Sequence, residues 1–334
     1  TPVTELTNGN YYHTYKRAGR YEVKAKCIPG GNTVALPCKD VLIEVKQLPA
    51  EAHNFNTCFS GAKNLQKVTA HNLVFSNNGI KSMFFNCSNL KEIVGAETWD
   101  VSQVSDVGSL FGNCTSLESV DVADWDMGNC SNFFNIFFNC KKLTDLDVSK
   151  WNTKNAVNMQ TVFSGCESLT SLDLENWTTP KAIVMNSMFS GCTNLQEINN
   201  IGNLITNKVT LLNSMFSKCK SLDNLDLSTL DAGASTNLDY IFQDCESLTN
   251  VKAMKNIKEN ISVEDSENIT VDSMVSIIEN LVEISEIEEW MLTLPFKDQE
   301  PLPLSRVFKV GPANLAKLSP AQIKVATDKG WSVA

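Results

Sequence analysis

Eleven cysteines give this sequence the means to bind metal, attack a substrate or form redox pairs. Seven of them, Cys87, Cys114, Cys140, Cys166, Cys192, Cys219 and Cys245, recur every 26 or 27 residues. A zinc site needs four converging ligands, commonly from Cys-x-x-Cys pairs, and the sequence has no such pair. If each cysteine occupies the same slot in successive coils, neighbours stand roughly 4.8 Å apart with parallel side chains, beyond the ~3.5–4.5 Å between Cβ atoms that a disulfide prefers. The seven therefore read as a ladder of buried thiols filling a small apolar slot, with no metal and no cofactor expected. Cys27 and Cys38 differ, because Pro29-Gly-Gly31 between them allows a hairpin. A disulfide there, which would suit an extracytoplasmic setting, and two separate thiols both remain open.

The other reactive residues point away from catalysis. The three histidines, His13, His53 and His71, all lie in the first quarter, and no Gly-x-Ser-x-Gly, Walker or His-Glu-x-x-His motif occurs. The expectation is that the chain is not an enzyme. A sugar-active reading would need two carboxyl groups in one cleft, and the acidic residues fall instead in regular rows. One row holds Asp121, Asp147, Asp173, Asn199 and Asp226; the row beside it holds Glu92, Ser119, Asp145, Ser171, Glu197 and Asn224. From these, Asp121, Asp145, Asp147, Asp173, Glu197, Asn199 and Asp226 form a candidate binding face. Like charges on adjacent strands repel, so such a face asks for cations, water or a basic partner. The competing expectation is that each Asp caps its own following turn. On the repulsion argument, changing Asp147 and Asp173 to Asn should stabilise the protein. Trp99, Trp125, Trp151 and Trp177, 26 residues apart, could offer sugars an aromatic platform but are expected to close the corner after each strand.

The elements that hold these residues follow from a repeat. Phe-x-x-Cys-x-x-Leu-x-x-Leu occurs from Phe84/Cys87/Leu90/Ile93 to Phe242/Cys245/Leu248/Val251, with a divergent first copy at Phe59/Ala62/Leu65/Val68 and 25 to 27 residues between copies. The alternation in Leu169-Thr-Ser-Leu172-Asp-Leu174 predicts a short strand with one buried face. The apolar cluster before each cysteine predicts a helical turn. Asn86, Asn113, Asn139, Gly165 and Gly191 predict a left-handed corner, a signal weaker at Lys218 and Asp244. The expected fold class is an α/β repeat: a solenoid of about eight coils, each with a short parallel strand and a helical turn, flanked by an N-terminal β-module and a C-terminal helical or mixed cap. After residue 257, Val271, Met274, Ile277, Ile278 and Leu281 have helical spacing. A strand at Val307 to Val310 and a helix starting near Ser319-Pro320, with Gly330 after its end, complete the chain.

The segment Val162-Phe163-Ser-Gly-Cys166-Glu-Ser-Leu169-Thr-Ser-Leu172-Asp173-Leu174-Glu-Asn-Trp177 resembles the BspA-like leucine-rich repeats of bacterial surface proteins, and the likeness covers about residues 55 to 257. It implies a leucine-rich-repeat solenoid, a secreted or cell-surface location, and adhesion to a protein or glycan on a host, matrix or neighbouring cell. Similar repeats occur in phage virion proteins, so a tail or virion component is the alternative. The run His13-Thr-Tyr-Lys-Arg-Ala-Gly-Arg-Tyr-Glu-Val resembles the end of a PKD-type β-sandwich, whose Trp-Gly-Asp-Gly signature would lie before Thr1. The expected organisation is a cut PKD-like module at 1–50, the solenoid at 51–257 and a capping region at 258–334. A net charge of −10 argues against nucleic acid as a partner, and no apolar run reaches the ~18 residues of a membrane span.

Overall fold

The computed structural model describes residues 44–45, 48, 53–284 and 306–334. Cys27, Cys38 and the PKD-like run lie outside the described residues. The chain winds into a parallel β-solenoid of about 10 turns with little helix. Stacking is obligatory, because a single coil exposes one side of every apolar residue it carries. Seven coils carry a short strand of the ladder: β1 Glu44–Val45, β2 Lys67–Thr69, β3 Glu92–Val94, β4 Ser171–Asp173, β5 Glu197–Asn199, β6 Asn224–Asp226 and β7 Asn250–Lys252. Ser119 and Asp145 carry the ladder beyond β3 as single parallel bridges. In register, Val68 faces Ile93, Leu172 faces Ile198 and Leu225 faces Val251. These central residues are buried while their neighbours point out, the period-two pattern of a half-buried strand. The ladder extends past the repeat at both ends, since β1 pairs with β2 before the first motif copy and Ile257 bridges Leu281 after the last. Motif counting misses such rungs.

The expected helical turn before each cysteine is not present. In the Phe163 coil, Thr161 and Gly165 both take left-handed angles, φ 56° and 74°, which no α-helix accommodates. The backbone donors then divide. The N–H groups of Thr161, Phe163 and Gly165 cross to Asn186, Met188 and Ser190 of the next coil at 3.1, 2.9 and 2.7 Å, and those of Ser164 and Cys166 close local turns on Thr161 and Phe163. The segment is thus a second hydrogen-bonded ladder. Lys218 and Asp244 adopt the same corner as the Asn and Gly residues, at φ 64° and 55°; the Lys218 N–H makes the same cross-coil bond, to Gln243 O at 2.6 Å, and the Asp244 N–H donates to the Asp265 carboxylate at 3.4 Å.

Inside, aromatic rings run in two columns. Phe59, Phe84, Phe111, Phe137, Phe163, Phe189, Phe216 and Phe242 stack with centroids 5.4 to 6.0 Å apart. Trp99, Trp125, Trp151 and Trp177 stack at 5.9, 6.3 and 6.1 Å.

Beyond β7 the helix α1 Val271–Glu279 starts on a Thr270 cap. It lies along β7, where the hydroxyl oxygens of Ser273 and Ser276 accept the N–H groups of Val251 and Ala253 at 2.9 and 3.0 Å. A second parallel sheet joins β8 Ile261–Ser262, β9 Val307–Lys309 and β10 Ser332–Val333 in the order β10-β9-β8. The helix Pro320–Asp328 begins in a capping box between Ser319 and Gln322, and Gly330 follows it at φ 86°. Arg306 and Glu259 form an ion pair at 2.7 Å beneath this end. Among the described residues no helix is long and apolar enough to cross a membrane.

Candidate functional site

The candidate site is the outer side of the strand ladder. Period-two alternation turns its residues outward on both sides of each buried centre. Asp121, Asp145, Asp147, Glu197, Asn199 and Asp226 are exposed and Asp173 is half-buried. Asp173 stands beside Asn199 across β4 and β5, and Asp226 beside Lys252 across β6 and β7. The row is therefore less uniformly acidic than its aspartates suggest, since it reaches a lysine at its end.

The aspartates of this row each accept hydrogen bonds from defined donors. Asp147 Oδ1 accepts the Ser149 N–H at 2.9 Å and the Ser149 hydroxyl at 2.7 Å. Asp226 Oδ1 accepts the Ser228 hydroxyl at 2.6 Å, and its Oδ2 accepts Lys252 Nζ at 2.7 Å. Asp121 receives a longer bond from the Ala123 N–H at 3.4 Å, and Asp173 receives the Asn200 side-chain amide at 2.7 Å. Hydrogen bonds from Ser149 pull the Asp147 carboxyl below its ordinary range. The hydrogen bond from Lys252, then that from Ser228, pulls Asp226 down to about 2. Repulsion within an acidic row would have raised both. Own-turn capping holds at Asp147, Asp226 and, through a longer bond, Asp121, but not at Asp173, whose donor is Asn200 of the next coil. The repulsion that would make the paired Asp147→Asn and Asp173→Asn change stabilising has no counterpart in the downward shift of Asp147.

Cross-coil ion pairs add to this face and its flanks. Lys67 meets Glu92 at 2.8 Å, Lys150 meets Asp124 at 2.7 Å, and Lys141 meets Glu167 at 2.6 Å. Each spans one repeat, so charge links neighbouring coils.

The cysteines and tryptophans belong to the interior. Each ladder thiol donates to a phenylalanine carbonyl of the preceding coil, from Cys87 to Phe59 at 3.0 Å through Cys166 to Phe137 at 3.2 Å and Cys245 to Phe216 at 3.1 Å. Burial pushes the thiols of Cys114, Cys140, Cys166, Cys192, Cys219 and Cys245 up, Cys192 and Cys245 to about 12, so these do not present thiolates to solvent. The indole N–H groups of Trp99, Trp125, Trp151 and Trp177 donate to the carbonyls of Ala70, Ala96, Val122 and Val148 at 2.8 to 2.9 Å. All four rings are buried, which removes the sugar-platform reading.

Sequence reasoning missed a second column of left-handed residues, Thr57, Ser82, Ser109, Asn135, Thr161, Ser187, Ser214 and Tyr240. The signal was a small polar residue four positions before each corner, with Tyr240 the exception. It also missed the amide ladder in which Asn113 donates to Asn86 at 2.8 Å and Asn139 to Asn113 at 2.9 Å.

The family described as "Mycoplasma protein of unknown function, DUF285" matches residues 53–172, 78–200 and 157–274. No curated protein matches the sequence. Among solved structures, the chain is similar to a T. pallidum leucine-rich repeat protein (19% identity, 59% of this chain and 86% of that one, TM-score 0.37). It is also similar to a leucine-rich repeat protein from Bacteroides ovatus (13% identity, 91% and 94%, TM-score 0.34). A third is a leucine-rich cell surface protein from Faecalibacterium prausnitzii (15% identity, 67% and 83%, TM-score 0.21).

Proposed function

The chain belongs to the DUF285 family, and from the geometry of its repeats we propose that it is a recognition protein, held outside the cell or on its surface, that binds a protein or glycan without catalysis. The observation that carries this is the strand face itself. Polar side chains at Glu92, Ser119, Asp145, Ser171, Glu197, Asn224 and Asn250 project from successive coils above a continuous aromatic core. A surface so spaced and so stiff loses little freedom on binding, which favours recognition of an extended partner. The residues before β1 serve as an attachment module in this reading, and residues 258–334 shield the last coil.

The test is binding of the labelled chain to intact bacterial cells and to immobilised host-matrix proteins. It is repeated with Asp145→Lys and Glu197→Lys, two exposed positions that cap no turn. Saturable binding that these changes weaken at least about tenfold is expected. No saturable binding to any surface would overturn the proposal.

A further inference from the structure

Three consecutive coils stand apart from the rest of this acidic molecule. On the side that follows the tryptophan corner, residues 152–160, 178–186 and 205–213 contain no Asp or Glu, whereas the flanking coils open the same side with Asp126 and Asp231. The three segments are in register. Val184 bridges Asn158 on one side and Leu211 on the other. The Ile183 N–H donates to Val157 O at 2.9 Å, and the Thr210 N–H donates to Ile183 O at 2.8 Å.

Outward, Val157 and Ile183, 39% and 41% exposed, stand in one column that Thr210 continues, and Ile205, 40% exposed, stands next to Thr179 at the start of the third segment. Val184 and Leu211 lie half-buried in the same segments. Single exposed apolar residues are ordinary, but apolar residues gathered on adjacent coils and edged by polar ones mark an interaction surface. The edge here is positive. Lys154, Lys181 and Lys208 are all exposed. Lys181 Nζ reaches the amide oxygen of Asn155 at 2.6 Å. Among the described residues none of the three forms an ion pair, whereas Lys67, Lys81, Lys141, Lys150, Lys220 and Lys252 each hold a carboxylate of an adjacent coil.

We propose that this lysine-edged apolar side docks a second, different protein that presents apolar side chains between carboxylates. Charge selects the occupant. A second copy of this chain would set lysines against lysines if it used the same side. If it used its strand face, Val157, Ile183 and Ile205 would meet outward positions that are mostly polar. An anionic membrane attracts the three lysines but repels a chain of net charge −10. An acidic protein surface with an apolar centre satisfies both halves of the patch. This surface is separate from the strand face and does not rest on the function proposed for it.

The experiment is selection from a random displayed peptide library on the full chain, with counter-selection on a Lys154→Glu, Ile183→Asp, Lys208→Glu variant whose near-ultraviolet circular dichroism matches the parent. The expected winners interleave apolar residues with Asp and Glu. By fluorescence anisotropy the leading peptide should bind at least about tenfold more weakly to Ile183→Asp and to Lys154→Glu. It should weaken as salt rises and bind unchanged to the strand-face variant Asp145→Lys. Enrichment of basic peptides, no enrichment over the variant, or equal affinity for Ile183→Asp would overturn the proposal. So would phosphatidylserine-vesicle binding, or dimerisation in sedimentation velocity, that the same substitutions abolish.

Discussion

Asp226 and Lys252 face each other across β6 and β7, with Nζ 2.7 Å from Oδ2, while the other oxygen of the same carboxylate caps its own turn at Ser228. One side chain thereby ties two coils together and shapes the bend between strand and corner. The Asp226 carboxyl is held at about 2, against 3.8 for the free group. A depressed carboxyl contributes stability above its unfolded pKa and loses it as pH falls through the folded one. The contribution is therefore complete above about pH 4 to 5 and fades toward pH 2. Both side chains are more than half exposed, so solvent reduces the pair's worth to at most about 1 kcal/mol. Urea denaturation of Asp226→Ala and the parent should show that difference at pH 6 and almost none at pH 2. Equal differences at both would remove the electrostatic account.

Asp147→Asn should leave the protein slightly less stable at pH 7, by about 0.5 kcal/mol, with no gain at low salt. The carboxylate already accepts two hydrogen bonds from Ser149 that favour its charged form. Thermal unfolding at two ionic strengths decides it; a higher midpoint at low salt would restore the repulsion argument.

Alkylation of Cys114, Cys140, Cys166, Cys192 and Cys219 by iodoacetamide should be limited by opening of the coils and not by the reagent. These thiols are buried, bonded to carbonyls and pushed up by desolvation. Mass spectrometry of peptides over time should find all of them labelled rapidly in denaturant and slowly in buffer. Fast labelling of Cys166 in the native protein would contradict the packing.

Tyr240 is 60% exposed and sits at φ 60°, where the equivalent positions of the other coils carry Ser, Thr or Asn. Tyr240→Gly should raise stability by about 0.5 to 1 kcal/mol, because the left-handed cost of a bulky residue exceeds the chain entropy that glycine adds. The reverse change at Gly165 should be costly. There φ is 74° and an added Cβ would lie 2.3 Å from Asn139 Oδ1. Denaturant midpoints of Tyr240→Gly and Gly165→Ala should move in opposite directions.

The parts of this fold legible in the sequence were those fixed by burial. The spacing of Phe163, Cys166, Leu169 and Leu172 determines which atoms face inward, and it reappears as stacked rings, bonded thiols and strand centres. The start of the last helix at Ser319-Pro320 was equally plain, since side-chain chemistry dictates it locally. The turn before each cysteine was not legible. An apolar pair such as Met188-Phe189 suits one helical turn or two left-handed bends equally well. The choice depends on whether the amide donors find partners in the next coil, a contact some 26 residues away. The strand face was legible as a set of outward residues, but not in its energetics. The roles of Ser149 and Ser228 as donors to Asp147 and Asp226 depend on the bend at the end of each strand.

The two ladders of cross-coil hydrogen bonds, one on the strand side and one through Phe163 N–H and its counterparts, also fix how the molecule yields to force. Both run along the stacking axis, so tension applied at an end loads one coil's bonds at a time and peels the rod as a zipper opens. Each released coil of about 26 residues pays out roughly 90 Å of chain. Pulled from its two ends, such a rod would lengthen in steps, while the coils still stacked keep their shape.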